Sequence, residues 1–242
     1  MNNKEKLENW MKSDIMKLIN NITDVCTFMD IKEFKDMNDK VLMKDFMYRL
    51  YFVGFDYVYR KDISINNDLC IFYLILCMDW IYEIVDMCAN ILKSFNTYKC
   101  SHYNTSIDNA DKYRKALRSI VVAHPLNTDR HKKFGLDGDL LCLDICRYSQ
   151  IEKPSECKFR HMTLDEINGV YYEEYLNDSD YFIKAHSKDG MGKYIEAKKL
   201  NKLNNESSYL YVGFSLDNID EAIKRKLSYF LSVIKEINKK YT

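Results

Sequence analysis

The segment KYRKALRSIVVAHP, residues 112–125, is the stretch on which the predicted fold depends. It is rich in apolar and small residues, which favour a helix, and Pro125 ends that helix because proline disfavours the α conformation for the residue before it. Arg118 and His124 lie near this end and are separated by five residues. In a straight helix, the six steps between them turn the two side chains about 120° apart. We therefore expect either a relaxed helix end or a facing second copy of the chain to bring them together.

Helical spacing of apolar residues extends in both directions from this segment. Four further helices are predicted, over residues 10–29, 41–59 and 70–87 and from residue 218 onward. Residues 66–68, Asn-Asn-Asp, offer N-caps for the third of these helices. The apolar stretch 69–92 contains Asp79, Glu83 and Asp86, and carboxylates are costly inside a bilayer. It is therefore predicted to be a helix of the core and not a membrane span.

The apolar pattern changes from helical to alternating after Gly138. Alternation at residues 141–146 predicts a strand, and residues 181–188 and 209–215 predict two more. Between them, Thr163 and Glu166 are spaced as a capping box for a helix toward Leu176. The predicted fold class is mainly α: a helical bundle with a small antiparallel β insert, α+β overall.

Composition is consistent with this class. The 242 residues are 47% hydrophobic, and two prolines with seven glycines argue against a turn-rich β-sandwich. Residues 1–242 are predicted to form a single domain. Its helical core spans residues 8–134 with a C-terminal helix at 218–240, and the strand-containing insert spans 139–216.

Charge and cysteine content predict the compartment and limit the partners. Lys+Arg and Asp+Glu are both 36, so no global field attracts nucleic acid or anionic lipid. Eight cysteines are scattered through apolar patterns, and no secretory signal opens the chain. We expect buried, reduced thiols in a cytoplasmic protein without a membrane partner.

Cationic residues are nevertheless concentrated around Arg118. Between positions 112 and 133 there are seven lysines and arginines and one carboxylate, Asp129. Such a patch captures phosphate backbones, so RNA is the expected partner. In the cleavage of such a backbone, a histidine can take or give the proton that is transferred, while arginine stabilises the charge that develops on phosphorus. This chemistry needs no metal or cofactor. The predicted catalytic residues are Arg118 and His124. The predicted substrate-binding residues are Arg114, Lys115, Ser119, Asn127, Thr128, Arg130 and His131.

Arg118, the five intervening residues and His124 resemble the Arg-x(4–6)-His motif of the HEPN superfamily. These helical domains occur in many prokaryotic RNases of toxin–antitoxin and antiviral systems. The resemblance implies a metal-independent endoribonuclease in which His124 is the general acid or base and Arg118 stabilises the transition state. It also implies a homodimer, with the site where two such helices meet, and products that carry a 2′,3′-cyclic phosphate.

Three alternatives remain open. Ser119 stands where that superfamily commonly has asparagine, aspartate or histidine, which favours a non-catalytic helical binding or regulatory module of HEPN-like fold. His131 is a second candidate for the acid or base. Cys142, Cys146, Cys157 and His161 have ligand types that suit zinc. On a strand, however, Cys142 and Cys146 would lie about 13 Å apart at about 3.3 Å per residue, so no metal site is predicted.

Overall fold

A computed structural model describes residues 3–26, 37–64, 70–92, 104–121, 140–152, 158–164, 179–187 and 209–241 of the chain. Its residues form two compact units, one of residues 1–110 with 220–242 and the other of residues 111–219. The prediction of one domain with an insert at 139–216 stays a prediction.

Helices make up most of the described residues. They are α1 (Asn3–Met11), α2 (Asp14–Cys26), α3 (Met37–Ser64), α4 (Cys70–Leu92), α5 (Thr105–Val121) and α6 (Leu216–Tyr241). The strands are β1 (Leu140–Cys146), β2 (Lys158–His161), β3 (Tyr181–Ser187) and β4 (Tyr209–Phe214), with a 3-10 turn at Tyr148–Gln150. The predicted mainly α class with a small sheet is confirmed.

The first unit has a helical core in which α4 is the most buried element. Fourteen of its 23 residues are buried, because its apolar side chains cover most of the helix circumference. The α3 helix packs along it, and α2 approaches α3 closely at Gly54. An added Cβ at Gly54 would lie 2.2 Å from Cδ1 of Ile19, so the crossing depends on the missing side chain.

The second unit contains a four-stranded sheet in the order β1-β3-β4-β2. The pairs β1–β3 and β3–β4 are antiparallel, and β2 runs parallel to β4. The three predicted strands are confirmed, whereas β2 was not predicted and makes the sheet mixed. Its four residues include one buried apolar side chain, Phe159, which is too little alternation to indicate a strand.

The predicted helix over residues 10–29 is wrong as a single element. The helix ends at Met11, and Ser13 begins a second one by accepting a hydrogen bond from the Met16 amide at its Oγ (3.3 Å). Serine at such an N-cap satisfies an amide that the helix itself leaves unbonded. The predicted caps at residues 66–68 and the predicted helix between Glu166 and Leu176 lie outside the described residues.

The prediction for residues 69–92 is confirmed where the structure describes them. The α4 helix belongs to the core, and Asp79 on it is 4% exposed. Among the described helices, none combines the length and apolar character that a membrane crossing requires.

Candidate functional site

The α5 helix carries the candidate site, and both of its ends are explained by sequence. Oδ1 of Asn104 accepts a hydrogen bond from the Ile107 amide (3.1 Å), which caps the helix start. Val121 is its last residue, four positions before Pro125. Its buried apolar side chains are those of Ile107, Ala110, Tyr113, Ala116, Leu117 and Ile120. The prediction of a helix toward residue 124 is confirmed as far as Val121.

Arg118 lies in the last turn of α5 and is half-buried. Its Nε is buried, while part of the residue remains accessible to solvent. A cation at this position is favoured by the partial negative charge of the helix C-terminus. The arrangement places a partly buried arginine in the last turn of the helix that precedes His124 in the sequence.

Arg114 lies one turn earlier on the same side of α5 and is 4% exposed. Its Nη2 is 3.6 Å from Oδ1 of Asp111, and that carboxylate is itself mostly buried. Such burial is unusual for arginine and requires compensation of its charge. The structure therefore places two guanidinium groups four residues apart, one of them inside the protein.

Two further predicted binding residues differ in their exposure. Lys115 is exposed and its ammonium contacts Oδ2 of Asp111. Ser119 is 1% exposed, and its hydroxyl donates to the carbonyl of Ala116 (2.8 Å). In this position the Ser119 hydroxyl is bonded within α5 and is shielded from solvent.

The other predicted site residues, His124, Asn127, Thr128, Arg130 and His131, lie outside the described residues. The structure thus brings together Arg114, Lys115 and Arg118, with Asp111 as an additional member. Asp111 was missed, although its spacing to Arg114 and Lys115 is that of helix ion pairs.

Tyr113 is another group on α5 that the sequence did not single out. Its side chain is fully buried, and within the described residues its hydroxyl has no hydrogen-bond partner. Burial raises the pKa of Tyr113, and the negative charge of Asp180 adds to the effect. The phenol therefore stays protonated at every physiological pH.

A second pair of reactive side chains lies on the sheet. His161 ends β2, and its Nδ1 is 2.6 Å from the hydroxyl oxygen of Ser179, just before β3. No local spacing could predict this contact, because it depends on the parallel pairing of β2 with β4. His161 entered the sequence analysis only as a zinc ligand.

Buried polar groups of the helical unit have structural partners. Tyr57 donates to one oxygen of Asp220 (2.6 Å) and Lys61 contacts the other (2.5 Å). Lys226, 4% exposed, bonds Asp86 at 2.6 Å and lies 5.0 Å from the ring centre of Tyr82. These contacts tie α3 and α4 to α6.

Among the described residues, no cluster of three or more histidine, cysteine or acidic side chains has the arrangement of a metal site. The described cysteines at positions 70, 77, 88 and 146 are free thiols. Burial, followed by the carboxylate of Asp56, raises the pKa of Cys77 to about 12. This thiol is thus unsuited to act as a nucleophile.

Comparison of the chain with protein-family models, curated proteins and solved structures finds no match.

Proposed function

We propose that this protein is a metal-independent endoribonuclease of HEPN type, with Arg118 and His124 as its catalytic pair. The observation that carries the proposal is the position of Arg118: a half-buried arginine, its Nε buried, in the last turn of a helix that ends three residues before His124. A cation that is partly removed from water stabilises a developing phosphorane charge more strongly than an exposed one, because solvent screens the attraction less.

The charge around Arg118 supports a phosphate ligand. From position 109 to position 121, the chain has four cationic residues and a single carboxylate, Asp111. Asp111 already contacts Arg114 and Lys115. A phosphodiester near Arg118 would add negative charge where like charges otherwise repel.

In the proposed reaction, the 2′-hydroxyl of RNA attacks the adjacent phosphorus while a base removes its proton. The bond to the 5′-oxygen breaks, that oxygen takes a proton, and the product carries a 2′,3′-cyclic phosphate. His124 either removes the proton from the 2′-hydroxyl or donates a proton to the 5′-oxygen. Arg118 contacts the equatorial phosphate oxygens. RNA is thus the proposed partner, in a toxin–antitoxin or antiviral setting.

The test is incubation of the purified protein with mixed RNA in EDTA, with His124→Ala in parallel. We expect metal-free cleavage to cyclic-phosphate ends and its loss in the variant, by at least about 100-fold. His161→Gln is the matched control, since it removes an imidazole outside the proposed pair. Undiminished cleavage by His124→Ala would refute the assignment.

The proposal includes a homodimer, and α4 offers the candidate surface. Tyr73, Trp80 and Met87 are about half exposed (49%, 50% and 48%) and recur every seven residues. Leu76 and Glu83, both part-exposed, lie between them. This alternating spacing of three and four is that of a helix that packs along another helix.

A second candidate function is a non-catalytic binding module of the same fold. Two observations favour it: Ser119 is buried with its hydroxyl on a backbone carbonyl, and the buried Arg114 contacts Asp111. Both arrangements fit a helix whose polar side chains maintain structure. Metal-free RNA cleavage that depends on His124 would exclude this alternative, and RNA binding without cleavage would support it.

A further inference from the structure

The described sheet has a gap in its side chains at Gly213. In the register of the sheet, Gly213 of β4 is flanked by His161 on β2 and by Phe182 on β3. Neighbours in register project from the same face of a sheet, so the absent side chain leaves room between an imidazole and an aromatic ring. A Cβ at Gly213 would lie 2.3 Å from the Ser179 hydroxyl and 2.9 Å from the Phe182 ring.

Ser179 occupies this gap and meets His161 there. The distance of 2.6 Å between Ser179 Oγ and His161 Nδ1 is short for a hydrogen bond that involves nitrogen. Both residues are part-exposed. A serine within hydrogen-bond reach of an imidazole is the arrangement that activates a hydroxyl nucleophile.

The surroundings of Ser179 are held by backbone contacts on both sides. The Asp180 amide donates to the carbonyl of Phe214 (3.1 Å), and the Met162 amide donates to the carbonyl of Gly213 (2.8 Å). The Asp180 carboxylate accepts from the Leu216 amide at the start of α6 (2.8 Å). Asp180, which follows Ser179, and Met162, which follows His161, are therefore both hydrogen-bonded to β4. These two backbone contacts hold the pair in place across the sheet.

An aromatic cluster lies next to the pair. Phe159, Phe182 and Tyr211 are buried, and the centre of the Phe159 ring lies 5.7 Å from that of Phe182 and 5.5 Å from that of Tyr211. Tyr148, 42% exposed, lies 6.0 Å from both Phe159 and Phe182. Tyr148 is the exposed ring of this cluster, and its apolar face suits the hydrocarbon part of a substrate better than a charged one.

We propose that Ser179 and His161 form a second reactive site that takes the acyl group of an apolar ester. The Ser179 oxygen attacks the ester carbonyl, and its proton passes to Nδ1 of His161. The bond to the alcohol breaks, and the alcohol leaves with that proton. Water then attacks the acyl-serine and gives a proton to His161. The bond between the acyl carbon and Ser179 Oγ breaks, His161 returns the proton to that oxygen, and the carboxylic acid leaves.

The probe for this site is an alkyl fluorophosphonate, because an activated serine displaces its fluoride and keeps the phosphonyl group. We expect the intact protein to be labelled at Ser179, as located by peptide mass spectrometry. Ser179→Ala should abolish the label, and His161→Gln should slow labelling by about 100-fold or more, since an amide accepts a hydrogen bond but no proton.

Ser232→Ala is the matched control, because the Ser232 hydroxyl donates to the carbonyl of Tyr229 (2.7 Å) and, among the residues that the structure describes, has no imidazole partner. It should be labelled at the wild-type rate. Thermal unfolding of each variant separates loss of the site from loss of the fold. Absence of label on folded wild type, or equal labelling of folded His161→Gln, would overturn the proposal. RNA cleavage by Ser179→Ala should remain unchanged, so this test is independent of the ribonuclease assay.

Discussion

Arg118 contributes both a positive charge and a planar fork of donors, and replacement by lysine separates the two. Arg118→Lys keeps the charge and loses the geometry that matches two phosphate oxygens. We expect the single-turnover rate of RNA cleavage to fall by about 10- to 100-fold, while RNA affinity in the same buffer changes less. Equal rates for the variant and the wild type would exclude Arg118 from the transition state.

The pair of Lys226 and Asp86 gives a stability test at the same scale. The Lys226 side chain is 5% exposed and that of Asp86 is 46% exposed. Removal of Asp86 therefore lowers the free energy of unfolding more than removal of Lys226, because the group left without its partner is the buried ammonium. Asp86→Ala leaves an ammonium inside the protein, and we expect it to lower the free energy of unfolding by about 2 kcal/mol. Lys226→Met replaces that ammonium with an apolar chain of similar length, so it should cost less. Chemical denaturation of both variants checks the order, and a larger loss for Lys226→Met would contradict it.

At the scale of elements, the two described glycines predict different costs for an added methyl group. At Gly213, the methyl would meet Ser179 and the buried ring of Phe182, which is rigid and has no flexible end that could shift alone. Gly213→Ala should therefore lower the free energy of unfolding by about 2 kcal/mol or more. At Gly54, one terminal methyl of Ile19 must shift, and alanine gains about 1 kcal/mol in helix propensity. Gly54→Ala should thus have the smaller effect. Denaturant unfolding of the two variants measures the difference, and equal losses would contradict the argument.

How much of the fold could be predicted from the sequence differs between its helices and its strands. The helices α3 to α6 follow from three-and-four spacing of apolar residues, which depends only on neighbours along the chain. The strand β2 could not be predicted, because Lys158 pairs with Leu210, 52 positions away, and the short strand has little alternation of its own. The Ser179–His161 contact depends on that pairing and was missed with it.

The candidate site was predicted in part for a related reason. Local charge indicated Arg118 and Arg114, since cations in one helix are visible in the sequence. Burial of Arg114 and Ser119 was not predicted, because it depends on what packs against α5 and these residue types are mostly exposed in proteins. The spacing of Asp111 to Arg114 and Lys115 is visible in the sequence. That this carboxylate contacts both side chains is seen only in the structure.

For the whole molecule, the exposed stripe on α4, formed by Tyr73, Leu76, Trp80, Glu83 and Met87, leads to a prediction about assembly. Two copies of α4 packed antiparallel would place Leu76 against Met87 and Glu83 against Trp80, each twice, as a two-fold interface requires. The indole N–H of Trp80 is a donor that a carboxylate accepts, whereas parallel packing would set Glu83 against Glu83. The antiparallel arrangement is therefore the one that the side chains favour.

Trp80→Lys tests this assembly, because it puts a charge at the centre of the stripe without touching the buried side of α4. We expect wild type to sediment as a dimer and Trp80→Lys as a folded monomer across the same range of concentrations. Phe52→Lys is the control, since Phe52 is 55% exposed but lies on α3 and should leave the dimer intact. A monomeric wild type, or a dimer lost in Phe52→Lys and kept in Trp80→Lys, would exclude the α4 interface. RNA cleavage by the monomeric variant then distinguishes a site complete within one subunit from one that needs Arg118 and His124 of facing copies.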